Sequence, residues 1–137
     1  MTLITQDYLD KLTYKIIGAA IVVHKELGPG LYEKVYEKCL EKELKDQGLK
    51  VESQQSVPVV YKGLSLDCEI RYDLLVENAI VVELKAVEIL HPIFESHLLT
   101  YMKLLKKPKG ILLNFNVGNI FKEGQKTFVN EYFRQLD

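Results

Sequence analysis

The sequence has few of the residues that mark specialised classes of protein. It contains no tryptophan, four prolines and two cysteines among 137 residues. Cys39 and Cys68 are far apart in the chain, and they form neither a Cys-x-x-Cys pair nor a zinc set with the three histidines. This spacing argues against both a disulfide framework and a zinc site. We expect two reduced, buried thiols in a cytoplasmic protein.

An excess of charge of one sign and a long apolar run are also lacking. The formal net charge of −1 argues against a protein that attracts nucleic acid through its overall field, although a local basic patch could still bind it. The longest apolar run, Ile16 to Val23, is far shorter than a membrane span. Residues 1–7 lack the basic start and cleavage site of a signal peptide. We therefore expect a cytoplasmic address and no membrane segment.

The length and composition are those of a folded globular domain. Hydrophobic residues make up 47% of the chain and charged residues 27%, which argues against disorder. A chain of 137 residues can bury most of its apolar surface in one domain but has no room for a second. We see no internal repeat or linker, and we expect a single domain over residues 1–137.

Apolar residues at three- and four-residue steps predict three helices. They cover residues 7–27, 31–47 and 93–105. Gly28-Pro29-Gly30 ends the first helix, and Gly48 is a natural left-handed end for the second. Near the start of the second helix, Glu33 and Tyr36 lie on one face because they are three residues apart.

Strand patterns account for most of the remaining chain. The predicted strands are residues 57–61, 66–74, 80–86 and 110–115, with short edge strands at 120–121 and 127–129 and a frayed end at 131–137. Residues 66–74 alternate cleanly between apolar and polar, which predicts one long half-buried strand. Residues 80–86 are more continuously apolar, as in a central strand covered on both faces. The order ααβββαβ indicates an α/β protein.

The two strands 66–74 and 80–86 predict a hairpin with charged residues near one end. If residues 77–79 form a three-residue loop, Val76 pairs with Ile80 and Asp73 lies opposite Glu83. The two carboxylates would then be about 5 Å apart at their Cβ atoms. Lys85 shares the face of Glu83 because strand side chains alternate.

This group of charged residues suits phosphodiester hydrolysis. Asp73 and Glu83 could hold Mg²⁺ or Mn²⁺ with the carbonyl oxygen of Leu84 as a further ligand. Lys85 would position the attacking water or offset developing negative charge. The alternative is a structural ion pair between Lys85 and either acid on a solvated strand face.

Several segments resemble a known family. Gly30-Leu31-Tyr32-Glu33-Lys34-Val35-Tyr36 matches the pattern Gly-x-x-Glu-x-x-Tyr of the GxxExxY proteins, a branch of the PD-(D/E)XK nuclease-like superfamily. Further segments resemble that family in the same order along the chain: residues 21–24, 71–76, 82–86, 98–101 and 110–115. The resemblance covers nearly the whole chain.

The resemblance implies a restriction-endonuclease-like core, in which a central mixed β-sheet is flanked by helices. It places Asp73, Glu83 and Lys85 on the signature triad. Glu33 falls on the helical glutamate that supplies a further carboxylate in related nucleases, either directly or through water. Tyr36 is its companion and a candidate substrate contact, although by itself it would be assigned to the core.

The sequence departs from the superfamily pattern at two positions. Tyr72 stands where the superfamily name has proline. His97 stands where relatives carry glutamine in a Gln-x-x-x-Tyr pattern, so His97 and Tyr101 are candidate substrate contacts.

Other polar residues have two interpretations each. Arg71 would contact phosphate or pair with Glu69 or Glu83. Gln54 and Gln55 would reach a substrate or solvate a loop. The lysines that cluster at the end of the third helix would follow a nucleic-acid backbone or form a solvated helix end: Lys103, Lys106, Lys107 and Lys109.

We therefore expect a Mg²⁺-dependent nuclease-like protein that acts on nucleic acid, with DNA preferred over RNA. The alternative is a non-catalytic module that keeps the fold and binds nucleic acid or a protein partner. A small domain of this kind could also form a homodimer to span a duplex.

Overall fold

A computed structural model describes residues 3–66 and 70–137 of the chain. Asp67, Cys68 and Glu69 lie outside the described residues. The middle of the predicted strand 66–74 and the predicted buried thiol of Cys68 are therefore outside them as well. Cys39 is a free thiol, but it is only partly buried, contrary to expectation.

Three long helices form close to the predicted positions. They are α1 (Gln6–Leu27), α2 (Glu33–Asp46) and α3 (Ile93–Leu105). The Thr5 hydroxyl caps α1 by accepting a hydrogen bond from the Tyr8 N–H at 3.0 Å. Gly28 ends α1 with φ 69°, and Gly48 follows α2 with φ 82°, a conformation that glycine adopts without steric cost.

Seven strands are assigned to the described residues: β1 (Val51–Ser53), β2 (Val59–Tyr61), β3 (Leu64–Leu66), β4 (Leu74–Val76), β5 (Ile80–Lys85), β6 (Lys109–Asn114) and β7 (Gln125–Val129). Five of them form one sheet in the order β1-β4-β5-β6-β7, and β2 pairs with β3 in a separate two-stranded sheet. β5 is parallel to β6, whereas the other neighbours in the large sheet are antiparallel. The predicted α/β fold with a mixed sheet flanked by helices is confirmed.

Helices cover both faces of β5, as its continuous apolar run predicts. Val82 and Leu84 face the core cluster formed with α1 and α2, whereas Val81 packs in the second cluster with α3. α3 lies very close to β6, because a Cβ atom at Gly110 would fall 2.6 Å from the Met102 sulfur. The close approach explains why this position of the strand is a glycine.

The prediction of one long strand over 66–74 is wrong for the described part of this segment. Leu66 ends β3 in the small sheet and is exposed, whereas Leu74 begins β4 in the large sheet and is buried. Between them, Arg71 forms an isolated antiparallel bridge with Ser56. An alternating pattern shows which side chains are apolar, but it does not show which strands the two ends of the segment pair with.

The C-terminal segment is partly helical. Two short helices, α4 (Ile120–Glu123) and α5 (Glu131–Arg134), replace the predicted edge strand at 120–121 and the predicted frayed end. The side chain of Asn119 accepts a hydrogen bond from the Lys122 N–H at 3.0 Å, which favours the start of α4. The predicted strand at 127–129 is confirmed within β7.

No helix in the described ranges, 3–66 and 70–137, combines the length and apolar character needed to cross a membrane.

Candidate active site

The β4–β5 hairpin brings Asp73 and Glu83 together. Val76 pairs with Ile80 around the three-residue loop, and Leu74 pairs with Val82, as predicted. One residue further from the loop, the Asp73 N–H donates to Glu83 Oε1 at 3.2 Å. The Leu84 N–H donates to Asp73 Oδ2 at 2.8 Å, so the backbone of each strand holds the acid of the other.

Burial changes the chemistry of Glu83. Its side chain is only 6% exposed, on a strand covered by helices. Burial raises the pKa of Glu83 to about 9, and the charge of Asp73 and a side-chain hydrogen bond that protonated Glu83 donates to Asp73 add to that increase. The Asp73 N–H and the positive charge of Lys85 offset part of it. In the absence of a cation, Glu83 therefore keeps its proton at neutral pH.

Lys85 does not bridge the two acids. Its ammonium nitrogen lies 4.5 Å from the centroid of the Phe94 ring on α3, in a cation–π contact. Among the described residues, no ion pair within 4.0 Å joins Lys85 to Asp73 or Glu83. The structure therefore does not support the alternative in which this lysine forms a salt bridge with either acid.

Helix α2 brings two glutamates to the site. Glu33 is exposed and, with Asp73, lines a cavity of about 480 Å³ between α2 and the hairpin. Glu37, one turn further along α2, lines the same cavity but is buried. Glu37 was not among the predicted site residues, although the four-residue spacing from Glu33 to Glu37 places both on one face of the helix.

Glu37 is linked to Asp73 through Gln54. The Gln54 side-chain amide donates to Glu37 Oε1 at 2.7 Å and to Asp73 Oδ1 at 3.1 Å. The other oxygen of Glu37, Oε2, is buried without a hydrogen-bond partner, and its contact with Lys34 Nζ is 3.6 Å long. Burial raises the pKa of Glu37, and the charge of Asp73 adds to this, whereas the Gln54 hydrogen bond lowers it.

Tyr36 is buried in the core of the protein. It has no exposed surface and stacks on Phe115 with ring centroids 4.5 Å apart. Its hydroxyl donates to the Gly28 carbonyl at 2.6 Å and accepts from the Leu31 N–H at 3.1 Å. The structure therefore favours a core role for Tyr36 over direct contact with a substrate. Tyr36 fixes the loop from which α2 begins.

The other candidate substrate contacts lie on two elements. His97 is exposed on α3 and stacks on Tyr101 with centroids 6.3 Å apart. Burial raises the pKa of the Tyr101 phenol, and the charges of Glu83 and Asp73 add to this, so Tyr101 lies within the field of the acids. Arg71 is exposed and its guanidinium donates to the Gln54 carbonyl at 2.9 Å.

Two lysines of the cluster at the end of α3 make contacts within the fold. Lys109 is buried and pairs with Asp10 at 2.8 Å. Lys107 donates to Asn78 Oδ1, in the hairpin loop, at 3.0 Å. Because Asn78 lies at the loop end of the hairpin and Asp73 near the other end, these lysines are remote from the acids.

The donors at this site are of the type that a hard divalent cation binds. Carboxylate oxygens of Asp73, Glu83 and Glu37 converge from three elements, and one oxygen of Glu37 has no hydrogen-bond partner. Even so, no group of three or more His, Cys, Asp or Glu side chains in the described part of the chain is already arranged to hold a metal ion. The residues therefore fit a cation in kind, and side-chain rearrangement would complete the ligand set.

A mixed sheet with paired acids and a lysine on a central hairpin defines a nuclease-like α/β protein. In agreement, the family model of the PD-(D/E)XK nuclease superfamily matches residues 10–128, which is most of the chain. The chain belongs to this superfamily. No curated protein and no solved structure gave a match.

Proposed function

We propose that this protein is a Mg²⁺- or Mn²⁺-dependent nuclease that hydrolyses phosphodiester bonds, with DNA as the preferred substrate. The observation that carries the proposal is the contact between Asp73 and Glu83 on a buried hairpin, in a chain of a nuclease superfamily. A protein holds two carboxylates this close at a cost unless a proton or a cation lies between them.

The proposed cation ligands are the side chains of Asp73 and Glu83 and the carbonyl oxygen of Leu84, with a carboxylate from α2. Glu33 was the sequence-based candidate for that carboxylate, and the burial of Glu37 adds a second one. A bound divalent cation supplies positive charge to the scissile phosphate and lowers the pKa of the attacking water.

Lys85 has the role of holding the attacking water or stabilising negative charge on the phosphate. Its ammonium group contacts the Phe94 ring and forms no ion pair with Asp73 or Glu83 among the described residues. His97, Tyr101 and Arg71 are the proposed substrate contacts, because His97 and Arg71 are exposed and Tyr101 lies within the field of the acids.

The finer assignments are part of the same proposal. Gly30, Glu33 and Tyr36 support membership of the GxxExxY branch. We also propose that residues 1–137 form a single domain, that the free thiol of Cys39 reflects a cytoplasmic location, and that two copies assemble to span a duplex. Light scattering that gives only the monomer mass at working concentration would contradict the dimer.

A non-catalytic module is the second candidate. It is favoured by the lack of a preassembled group of three metal-binding side chains in the described residues. Such a module would bind nucleic acid or a protein partner with the same fold but would hydrolyse nothing.

Cleavage assays distinguish the two candidates. Purified protein is incubated with plasmid, linear duplex, single-stranded DNA and RNA, with Mg²⁺, Mn²⁺ or EDTA. We expect cation-dependent cleavage that Asp73→Asn, Glu83→Gln and Lys85→Met each reduce by at least about a hundredfold, since the first two remove proposed cation ligands and the third removes the positive charge beside the phosphate.

The matched control is Glu88→Gln, which removes an exposed carboxylate shortly after β5 and should leave cleavage unchanged. Folding of each variant is checked by circular dichroism. Cleavage that survives in the three site variants would contradict the proposed site, and an absence of cleavage on all substrates would favour the binding module.

A further inference from the structure

Gln54 adopts a backbone conformation that is uncommon for its residue type. Its φ is 52°, in the left-handed region, although the residue is neither glycine nor asparagine. It follows β1, and its N–H donates to the Asp73 carbonyl at 3.0 Å. The Arg71 guanidinium donates a hydrogen bond to the Gln54 carbonyl at 2.9 Å. Neighbours thus fix this conformation from both sides, which is typical of functional positions.

This conformation places the Gln54 amide between two acids. The nitrogen Nε2 has two N–H donors, and it lies 2.7 Å from Glu37 Oε1 and 3.1 Å from Asp73 Oδ1. A neutral donor between two carboxylates holds them together without filling their remaining lone pairs. Glu37 Oε2 in particular stays buried and without a hydrogen-bond partner beside the cavity.

We propose that Gln54 is a positioning residue of the cation site, which holds Glu37 beside Asp73 so that Glu37 Oε2, which has no hydrogen-bond partner and lies 3.6 Å from Lys34 Nζ, can bind a divalent cation. This inference rests on the proposed function, because it assumes that the acids bind a cation. It makes Glu37, and not the exposed Glu33, the carboxylate that α2 supplies.

The neighbouring glutamine provides a matched control. Gln55 is exposed, and its side chain donates to the Ser53 carbonyl at 2.9 Å, within its own segment. A general effect of altering this loop would appear equally at Gln54 and Gln55. An effect through the acids would appear only at Gln54.

The experiment measures Mn²⁺ binding by isothermal titration calorimetry, in the absence of nucleic acid. Gln54→Gly removes the side chain at a position whose φ suits glycine, so the fold should be kept. We expect about tenfold weaker Mn²⁺ affinity for Gln54→Gly, the usual size of a lost orienting contact, and a change below about twofold for Gln55→Ala.

A double variant shows whether Gln54 acts through Glu37. We expect Glu37→Gln to weaken Mn²⁺ binding, and Gln54→Gly to add less than about twofold in the Glu37→Gln background. A residue that only supports the loop would give additive effects. If Gln54→Gly does not fold, Gln54→Asn replaces it, because asparagine tolerates the same backbone but its amide is one methylene too short to reach both acids.

The outcomes separate this inference from the proposed function. Unchanged Mn²⁺ affinity in Gln54→Gly, or equal losses at Gln54 and Gln55, would overturn the inference and leave the proposed function standing. If the unaltered protein takes up no Mn²⁺, both are overturned.

Discussion

Glu83 shows at the level of one residue how burial sets the state of a carboxyl group. The side chain lies on β5, a strand covered by helices on both faces, next to a second acid, and burial is the main cause of its raised pKa. A sequence shows that an acid interrupts an apolar strand, but it does not show which groups surround the acid. The structure shows that Asp73 lies against Glu83 and that Lys85 lies over Phe94.

The raised pKa predicts how the cation-free protein responds to pH. Glu83 keeps its proton in the folded state up to a pKa of about 9 but titrates near 4.5 when unfolded. Its contribution to stability is therefore complete below pH 4.5 and is lost as pH rises toward 9. We expect the free energy of unfolding to fall between pH 5 and pH 8, and Glu83→Gln to reduce that slope. Urea unfolding in EDTA at several pH values measures it.

The control for this prediction is Glu88→Gln, since Glu88 is exposed and its removal should leave the slope unchanged. An equal slope in the Glu83→Gln variant and the unaltered protein would show that Glu83 ionises alike in the folded and unfolded states.

At the level of elements, the start of α2 depends on Tyr36. This side chain joins the helix to the loop before it through two hydrogen bonds and to the sheet side through Phe115. The loop and helix start also carry Glu33, one of the cavity-lining acids. Packing therefore explains why a tyrosine stands at position 36.

Tyr36→Phe tests that explanation. The variant keeps the stacked ring but loses both hydrogen bonds of the hydroxyl, so we expect the free energy of unfolding to fall by about 1 to 2 kcal/mol. Urea unfolding measures the change, with Tyr32→Phe as the control because Tyr32 is 84% exposed. Unchanged stability together with weaker binding of nucleic acid would instead assign Tyr36 to the substrate.

The elements that the sequence predicts well are those whose pattern depends only on burial. α1, α3, β5 and β6 lie within one or two residues of their predicted bounds, because a helix stripe or an apolar run is set by the core. β1 was missed since it has three residues, of which Val51 alone is buried. Its role is clear only from its partner, β4.

The candidate site likewise contains one contact that the sequence predicts and one that it does not. The register of Asp73 and Glu83 follows from counting outward from a hairpin loop, so it could be predicted. The contact of Glu37 with Gln54 joins residues 17 apart, on a helix and a loop. No local pattern specifies such a contact, because it depends on how α2 packs against the hairpin.

At the level of the whole molecule, the net charge is −1, and two of the lysines near the end of α3 make contacts within the protein. Lys109 is buried against Asp10, and Lys107 contacts the hairpin loop. These lysines lie away from the acids, so they do not form a basic surface around the candidate site. Binding of nucleic acid in this account depends on groups nearer the acids and on the cation itself.

The acids lie at one end of the hairpin, between helices that pack on opposite faces of the sheet. α2 approaches the hairpin from one face of the sheet and α3 from the other, so carboxylates and aromatic rings converge at one end of β4 and β5. The match to the superfamily, over residues 10–128, includes both helices and the hairpin.

The most direct test of the central claim is a crystal structure of the protein soaked in Mn²⁺, with anomalous data. We expect an anomalous peak between Asp73 and Glu83, with carboxylate oxygens roughly 2 Å from the ion. Well-ordered acids with no peak at saturating Mn²⁺, or Lys85 drawn in to bridge Asp73 and Glu83, would contradict it.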